Sequence, residues 1–356
     1  MRLATLLAER ALVPDALIEL GIRLRLRSAM RNAADAATNG EEEAFRKELR
    51  ECPIAIETEA ANEQHYELPP AFFQTVLGPR LKYSSCLYET GHEELAAAEV
   101  AMLRLTCERA GIMDGMRVLD VGCGWGSLSL WIAEQYPQCE VVGVSNANNQ
   151  RQHIERVACA RGLKNIRIIT CDINLFEPEG LFDRVVSVEM FEHVRNHSVL
   201  LQRIRRWMRD DGRLFVHIFC HERHAYPYKT EGDANWMGRY FFTGGIMPSF
   251  DLLQSYPEHL RVSETWKVNG VHYGRTLRHW LQRMDANREK IMPLMRDTYG
   301  DEAALWYQRW RIFFLACAEL FEYNGGKEWY VAHYLFEPVA ASVPLDSEAA
   351  LSQSAR

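Results

Sequence analysis

The chain has 356 residues, of which 47% are hydrophobic and 25% are charged, and these near-average values exclude a disordered or low-complexity protein. Forty-one Lys and Arg residues against 48 Asp and Glu residues give a net charge of −7, so the basic surplus of a general nucleic-acid binder is missing. No apolar run reaches the ~18 residues that span a bilayer, which argues against stable membrane insertion.

The cysteines and the N-terminus indicate the cellular compartment. The nine cysteines are scattered and include no C-x-x-C pair, a pattern typical of reduced thiols rather than of a disulfide framework. Glu9, Asp15 and Glu19 interrupt the first apolar residues, so this segment does not fit a signal peptide. We therefore expect a cytoplasmic protein.

Composition and periodicity divide the chain into four regions. Residues 1–80 have apolar residues at helical spacing and are predicted to form N-terminal helices, with a surface connection over residues 32–43. Residues 81–220 alternate between strand-like and helical runs. Residues 221–340 are dense in aromatic residues and are predicted to form a substrate-binding cap with the remaining core elements, and residues 341–356 are predicted to form a flexible tail.

The second region predicts an α/β fold. Strand-like runs lie at residues 116–121, 140–144, 166–171, 182–188 and 213–219. Helical runs alternate with them at residues 99–110, 128–136 and 150–161, and two more follow in the third region at residues 275–289 and 303–321. Alternation of this kind is typical of a mostly parallel, doubly wound sheet with right-handed connections.

A glycine-rich turn follows the first predicted strand in the sequence VLDVGCGWG, residues 118–126. Gly122, Gly124 and Gly126 permit positive φ angles and leave the backbone open to a ligand. Position 127 is serine and the next strand ends without an acidic residue, so the dinucleotide-binding pattern is not met. No Gly-Lys-Ser/Thr follows, which excludes a P-loop. A tight turn that binds nothing remains an alternative at this point.

The strand, the D-x-G-x-G-x-G turn and the helix together resemble the class I (Rossmann-like) methyltransferases. The resemblance implies that the cofactor is S-adenosylmethionine (SAM), which leaves as S-adenosylhomocysteine. It further implies that the turn at Asp120, Gly122 and Gly124 holds the amino-acid end of SAM, while Asp172, just after the third strand, holds the adenine amino group.

Four more stretches narrow the family: YSSC (83–86), VGVSNANNQ (142–150), VEMFEH (188–193) and RYFFTGGIMPS (239–249). Together they resemble the cyclopropane-fatty-acid synthase-like methyltransferases. Residues 98–110, 215–228, 266–287 and 319–336 resemble the coclaurine N-methyltransferase branch of that superfamily most closely, and the similarity extends over residues 57–336. The further SAM-binding residues that this resemblance implies are Tyr83, Ser84, Ser145, Asn146, Gln150 and Ile173.

Two positions separate amine methylation from lipid cyclopropanation. The cyclopropane synthases bind a bicarbonate with a cysteine after the tyrosine-serine pair and a glycine at the head of the G-x-F-E-H-like motif. This chain has Ser85 and Glu189 at those places, and a glutamate would displace and repel the anion. The pattern favours the N-methyltransferase branch.

Methylation of an amine needs a proton acceptor, because an aliphatic amine with a pKa of about 10.4 arrives protonated at neutral pH. Glu189, Glu192 and His193 lie just after the fourth predicted strand, where ligands bind in this fold. If Met190 begins a helical turn, the two glutamates share a face. We expect Glu192 and His193 to accept the proton and Glu189 to hold the ammonium; a helix start with solvent-exposed side chains is the simpler alternative.

The substrate wall is expected to be aromatic, because rings enclose a flat amine and stabilise its cation. The resemblance suggests Phe242, Phe321, Trp329 and Tyr330 for this wall, although a role in the core suits each of them equally well. His217 ends the fifth predicted strand, where it either supports the site residues from behind or is a core histidine, and the core position is favoured. The residues around His221 and His224 lack metal-ligand spacing, so no metal is expected.

Three functions therefore remain open. The first is a SAM-dependent N-methyltransferase acting on a small aromatic, tetrahydroisoquinoline-like amine, with no nucleic-acid partner and a homodimer as the default assembly. The second is a cyclopropane-synthase-like methyltransferase acting on a lipid or prenyl carbon. The third is a SAM-binding protein that has lost catalysis.

Overall fold

The computed structural model describes residues 2–56, 68–232 and 235–339. The predicted flexible tail at residues 341–356 lies outside these ranges.

A seven-stranded sheet is the centre of the fold, and its strand order is β3-β2-β1-β4-β5-β9-β8. The first five of these strands run parallel, β9 is antiparallel to β5, and β8 is antiparallel to β9. A separate two-stranded ladder joins β6 and β7. The strands are β1 (Arg117–Val121), β2 (Glu140–Ser145), β3 (Ile166–Thr170), β4 (Phe182–Val188), β5 (Met208–His221), β6 (Tyr226–Pro227), β7 (Ile246–Met247), β8 (Leu260–Val268) and β9 (Trp329–Pro338).

Helices cover both faces of the sheet and its carboxyl edge. They are α1 (Arg2–Glu9), α2 (Asp15–Thr38), α3 (Glu41–Glu51), α4 (Pro70–Val76), α5 (Leu95–Ala110), α6 (Ser127–Gln135), α7 (Asn148–Ala160), α8 (His197–Trp207), α9 (Trp236–Tyr240), α10 (Gly270–Ala286), α11 (Arg288–Tyr299) and α12 (Ala303–Glu322). Because helices lie on both faces, the central parallel strands β1 and β2 are buried over most of their length, and Val118 and Leu119 of β1 are fully buried. The predicted α/β, class I fold is confirmed.

Two predictions about local structure were wrong. Residues 32–43 are mostly helix, because α2 runs to Thr38 and α3 begins at Glu41, with a turn at Gly40 (φ 76°) between them. Alanine and glutamate, which dominate this stretch, are strong helix formers. The helix predicted over 275–289 is two helices that meet at Asn287, and the strands β8 and β9 were not predicted at all.

The N-terminal helix α2 is fixed to the C-terminal cap by ion pairs. Arg23 of α2 is bonded to Glu319 of α12, and Arg278 of α10 contacts Glu19 at 3.0 Å and Glu319 at 2.9 Å. Arg311 of α12 reaches Asp15, the first residue of α2, at 2.7 Å. These contacts place α2 over the carboxyl edge of the sheet, where the candidate site lies.

Candidate active site

The glycine turn between β1 and α6 has the geometry that its sequence requires. Gly122, Gly124 and Gly126 all have positive φ angles (84°, 52° and 80°). A Cβ on Gly122 would lie 2.6 Å from Met190 Cγ, whereas one on Gly124 would meet nothing within 4 Å. The turn therefore packs closely on one side and leaves open space beside Gly124 for a ligand.

Asp120 connects this turn to the helix that follows. Its Oδ2 accepts a hydrogen bond from Ser129 Oγ at 2.6 Å, and burial raises the pKa of its carboxyl to about 6. The contact holds the end of β1 against the first turns of α6. Whether Asp120 also contacts SAM remains a prediction.

Buried polar groups at the ends of β2 and β3 fit the adenosine part of SAM. Ser145 Oγ donates to Gln150 Oε1 and accepts from the Ala147 amide at 3.2 Å. Gln150 Nε2 and Thr170 Oγ1 are buried without a hydrogen-bond partner among the residues that the structure describes. Because buried polar groups are almost always paired, these two atoms indicate a site for a polar ligand.

The remaining predicted cofactor residues lie around the same edge. Asp172 Oδ1 accepts hydrogen bonds from the Asn174 backbone amide (2.7 Å) and side-chain amide (2.9 Å), which orders the turn after β3. Ile173 is half-buried and Asn146 is exposed. Ser84 is buried and its Oγ accepts from Lys82 Nζ at 2.5 Å.

Tyr83 lies on the wall of a large cavity. Its ring centroid is 5.5 Å from that of Phe73 and 5.5 Å from that of Trp280, and its side chain lines the cavity wall. The cavity has a volume of about 980 Å³ and is enclosed by α2, α9, α10, α12 and the carboxyl ends of β4 and β5.

Glu189 is held by three donors at the end of β4. Its backbone lies in the left-handed region (φ 49°), a costly conformation for a residue with a side chain. Its Oε1 accepts from the Ser85 amide (3.0 Å) and from His217 Nε2 (3.2 Å), and its Oε2 accepts from the Tyr273 hydroxyl. The carboxylate is therefore fixed at the cavity wall.

Near pH 7, small changes in its surroundings shift the Glu189 carboxyl between its ionised and protonated forms. Burial raises the pKa of its carboxyl to about 7, and the buried ammonium of Lys82 acts in the opposite direction by favouring the ionised form. A second positive charge close to this carboxylate, such as a substrate ammonium, would favour ionisation further.

Glu192 and His193 diverge, although they are adjacent in sequence. Both lie on a short 3₁₀ turn, Phe191–His193, and the prediction that the two glutamates share a helical face was wrong because Glu189 precedes this turn. Glu192 is fully buried, its Oε1 accepts from the Phe219 amide at 2.9 Å, and its side chain is not on the cavity wall. Burial and the neighbouring Glu189 charge raise its pKa well above the usual range.

His193 faces the cavity. Its ring stacks on that of Phe242, with centroids 5.0 Å apart and an interplanar angle of 17°. Burial lowers the pKa of this imidazole to about 4, so it is neutral at physiological pH and able to accept a proton.

Three of the four predicted wall residues line the cavity: Phe242, Phe321 and Trp329. Tyr330 does not. Consecutive residues of a strand point to opposite faces of the sheet, so Tyr330 of β9 lies opposite to Trp329. Its hydroxyl donates to Glu222 at 2.7 Å and its ring packs near Phe250. The prediction for Tyr330 is thereby corrected.

Other wall residues were not predicted. Tyr273 bonds to Glu189 and stacks on Phe321 with ring centroids 4.4 Å apart. His217 does not line the cavity, but it is buried with its Nε2 3.2 Å from Glu189 Oε1. The aromatic density of the region was visible in the sequence, but no pattern there distinguished a wall ring from a core ring. Further lining side chains are Tyr228, Trp280, Phe313 and Cys317.

The described residues form neither a metal site nor a membrane-spanning helix. Within residues 2–56, 68–232 and 235–339, no group of three or more His, Cys, Asp or Glu side chains could hold a metal ion. No helix in these ranges is both long and apolar enough to cross a membrane.

Comparison with known proteins identifies the family. Residues 55–329 match the family model "Mycolic acid cyclopropane synthetase". The chain is also 39% identical over 294 residues to (S)-coclaurine N-methyltransferase of Thalictrum flavum subsp. glaucum, a match that covers 81% of each chain. The chain belongs to the coclaurine N-methyltransferase branch of the cyclopropane synthetase family. It is therefore a SAM-dependent N-methyltransferase.

Two further matches support this assignment. A crystal structure of coclaurine N-methyltransferase bound to N-methylheliamine and S-adenosylhomocysteine superposes with a TM-score of 0.89 at 36% identity, covering 93% of this chain and 97% of that one. Cyclopropane-fatty-acyl-phospholipid synthase of Escherichia coli (strain K12) is 32% identical and covers 76% of this chain and 66% of that enzyme. The open space beside Gly124 and the buried groups near Gln150 suit SAM as the cofactor.

Proposed function

We propose that this N-methyltransferase acts on a small, aromatic, cyclic amine of the tetrahydroisoquinoline kind. The observation that carries the proposal is the pairing of Glu189 with a neutral His193 on the wall of an aromatic cavity. Relatives of this chain are N-methyltransferases of (S)-coclaurine and of pavine, which are cyclic aromatic amines.

In this proposal Glu189 attracts and orients the incoming ammonium. The carboxylate is fixed by Ser85, His217 and Tyr273, so it loses little freedom when a cation binds. A hydrogen bond between two charged groups is stronger than a neutral one, and stronger still in a buried site. The ammonium would in turn stabilise the ionised form of Glu189.

His193 then accepts the proton that must leave before nitrogen can attack. Its ring faces the cavity and is unprotonated, and the negative charge of Glu189 raises its pKa, which offsets part of the loss of basicity that burial causes. Methyl transfer also requires nitrogen and the sulfonium methyl to be held in line ~3–3.5 Å apart. Tyr83, which joins the cavity to the cofactor side, supports that alignment.

The position of Glu192 in the structure gives it a different role from the one predicted from the sequence. Glu192 is buried away from the cavity wall, and burial together with the Glu189 charge raises its pKa and favours its protonated form, so it is poorly placed to take a proton from a substrate in the cavity. We assign it to the support of the turn: its contact with the Phe219 amide fixes the 3₁₀ segment from which His193 projects.

The rings of the cavity complete the proposed site. Phe242 stacks on His193, Phe321 stacks on Tyr273, which bonds to Glu189, and Trp329 lines the same cavity. A ring face that contacts a cation contributes ~0.5–2 kcal/mol, which favours the protonated substrate and the cationic form in which the product amine leaves.

The cofactor contacts are proposed residue by residue. Gly122 and Gly124 would carry the amino-acid end of SAM, Ser145 and Gln150 the ribose, and Asp172 and Ile173 the adenine. Tyr83, Ser84, Asp120 and Asn146 complete the set. The open space at Gly124 and the unsatisfied Gln150 amide support this arrangement.

The proposal is tested by incubating the purified protein with labelled SAM and a panel of tetrahydroisoquinolines, phenethylamines and phospholipids. We expect label in the cyclic aromatic amines, with lower turnover on phenethylamines. Label in phospholipid but in no amine would overturn the proposal and favour the cyclopropane-synthase-like alternative. Binding of SAM without turnover on any arm would point to a protein that has lost catalysis.

The assembly and the location stay predictions. A homodimer and a cytoplasmic location are consistent with the base rate for oligomers and with the unpatterned free cysteines.

A further inference from the structure

A line of hydrogen bonds connects helix α5 to the cavity wall. Arg109 Nη1 lies 2.7 Å from His333 Nδ1, and His333 Nε2 lies 2.9 Å from His217 Nδ1. His217 Nε2 in turn lies 3.2 Å from Glu189 Oε1. The mechanism proposed above uses Glu189 but gives no role to Arg109 or His333.

The register of the sheet brings the two imidazoles together. Val188, the residue before Glu189, pairs with His217 across β4 and β5, and His217 pairs with His333 across β5 and β9. On the next strand Trp266 pairs with His333, and the Arg109 guanidinium stacks over the Trp266 ring at 4.9 Å. The line thus runs from helix α5 across the three adjacent strands β9, β5 and β4, with β8 beside it.

The chemistry of arginine fixes the direction of every proton in this line. A guanidinium has only donors, so Nδ1 of His333 must accept. A neutral imidazole carries one proton, which for His333 must then lie on Nε2 and point to Nδ1 of His217. The same reasoning places the proton of His217 on Nε2, from which it is donated to Glu189.

Burial supports the neutral state of both rings. His217 and His333 have no exposed surface, and desolvation lowers the pKa of each well below its usual value, with the charges of Arg109 and Lys82 acting in the same direction. With both rings neutral, the reversed order of protons would leave His333 without a lone pair for Arg109.

We propose that Arg109 and His333 are positioning residues, which fix the tautomer of His217 so that it always donates to Glu189 and keeps this carboxylate ionised and oriented for the amine. The inference rests on the proposed role of Glu189. It adds two residues that contact neither substrate nor cofactor and that act only through the line of hydrogen bonds.

Without the Arg109 donor, the direction of proton donation along this line of hydrogen bonds could reverse. His333 could then carry its proton on Nδ1, and His217 could offer Glu189 a lone pair, which only a protonated carboxyl can use. The reversed line therefore favours neutral Glu189, which attracts an ammonium poorly. The other titratable groups near Glu189 are unchanged by such a substitution; they are Lys82, Cys86, Glu192, His193, Tyr273 and Cys317.

The first test compares Arg109→Met with Arg109→Lys and with Arg104→Met, which removes an exposed arginine from the same helix. In Arg109→Met we expect the acidic limb of kcat/KM to move to higher pH, KM for the amine to rise about ten-fold at pH 7, and KM for SAM to stay unchanged. Arg109→Lys keeps a donor without an acceptor and should restore most of the loss, while Arg104→Met should behave as the wild type.

The second test reads the protons directly. Nitrogen NMR of histidine-labelled enzyme should show both His217 and His333 as Nε2–H tautomers in the wild type, and a change at one or both in Arg109→Met. His333→Gln, whose amide both accepts and donates, should retain more activity than His333→Phe. Melting temperatures of all variants separate these effects from loss of folding.

The outcomes that overturn the proposal are specific. An Nδ1–H tautomer at either histidine of the wild type would contradict it, and so would superimposable pH profiles for wild type and Arg109→Met. If the wild-type enzyme methylated no amine, the proposed function would fail, whereas the NMR experiment would still decide the order of the protons.

Discussion

The two halves of the active site are built in different ways. The cofactor half is formed by backbone turns at the ends of consecutive strands, and its defining residues lie close together in sequence, as in the glycine turn after β1. The amine half is assembled from side chains of remote elements: Glu189 of the β4 end receives hydrogen bonds from Ser85, His217 and Tyr273. In the proposed site, local backbone geometry would position SAM, and tertiary packing would position the amine.

This division predicts that variants in one half leave the other half intact. The largest effect is expected for His193→Ala. Loss of a general base lowers rates by about 10²–10⁴-fold, so kcat should fall within that range while the dissociation constant of SAM stays unchanged. The control is His92→Ala, which removes an exposed histidine far along the chain from the cavity-lining residues. If His193→Ala kept the kcat of the wild type, His193 would not be the general base.

The next effect distinguishes the two glutamates. In Glu189→Gln the fixed charge is lost, and we expect kcat/KM for the amine to fall about 10–100-fold, mainly through KM. Glu192→Gln should change it little, because glutamine resembles the protonated carboxyl and can still accept from the Phe219 amide. Steady-state kinetics of both variants decide the matter; a larger loss in Glu192→Gln would restore Glu192 as the base.

The pH dependence of kcat/KM is expected to follow the ionisation of the Glu189 carboxyl. Because the pKa of Glu189 is raised to about 7, the wild-type kcat/KM should be low below pH 7 and should rise as the pH increases through that value. The lowered pKa of His193, about 4, lies outside this window. In Glu189→Gln the limb near pH 7 should disappear, and its persistence would show that another group causes it.

A smaller effect is expected on the cofactor side. Gly124→Ala places a Cβ at a φ of 52° and beside the proposed SAM site, so the dissociation constant of SAM should rise by about ten-fold, with unchanged KM for the amine at saturating SAM. Gly115→Ala is the matched control, since Gly115 also has a positive φ (86°) and no atom within 4 Å of an added Cβ. Equal SAM affinities in the two variants would mean that the turn does not contact the cofactor.

The smallest effect concerns the wall rings. Phe242→Leu removes one ring face, worth ~0.5–2 kcal/mol if a cation contacts it, so KM for the amine should rise by a few-fold. Tyr330→Phe, on the opposite face of the sheet, should have no effect on KM. An increase in KM for Tyr330→Phe instead would contradict the position of the cavity.

The difference between the cofactor half and the amine half of the site also explains which features the sequence could predict. The glycine turn, the strands β1–β5 and the position of Glu189 after β4 follow from local patterns, and the structure has them close to the predicted places. Tyr273 was not recognised as a partner of Glu189, and a core position was favoured over a supporting role for His217, because their contacts depend on how α10 and β5 pack. Tyr330 was wrongly placed on the cavity wall because strand β9 was not predicted. Side chains alternate along β9, so that of Tyr330 points to the other face of the sheet.

The most direct test of the account is a crystal structure of the enzyme with S-adenosylhomocysteine and a tetrahydroisoquinoline. We predict that the amine nitrogen lies within hydrogen-bond distance of both the Glu189 carboxylate and the His193 ring, facing the sulfur of the cofactor product. An amine held elsewhere in the cavity, with its nitrogen against the N-terminal helix α2 and away from these two side chains, would contradict it.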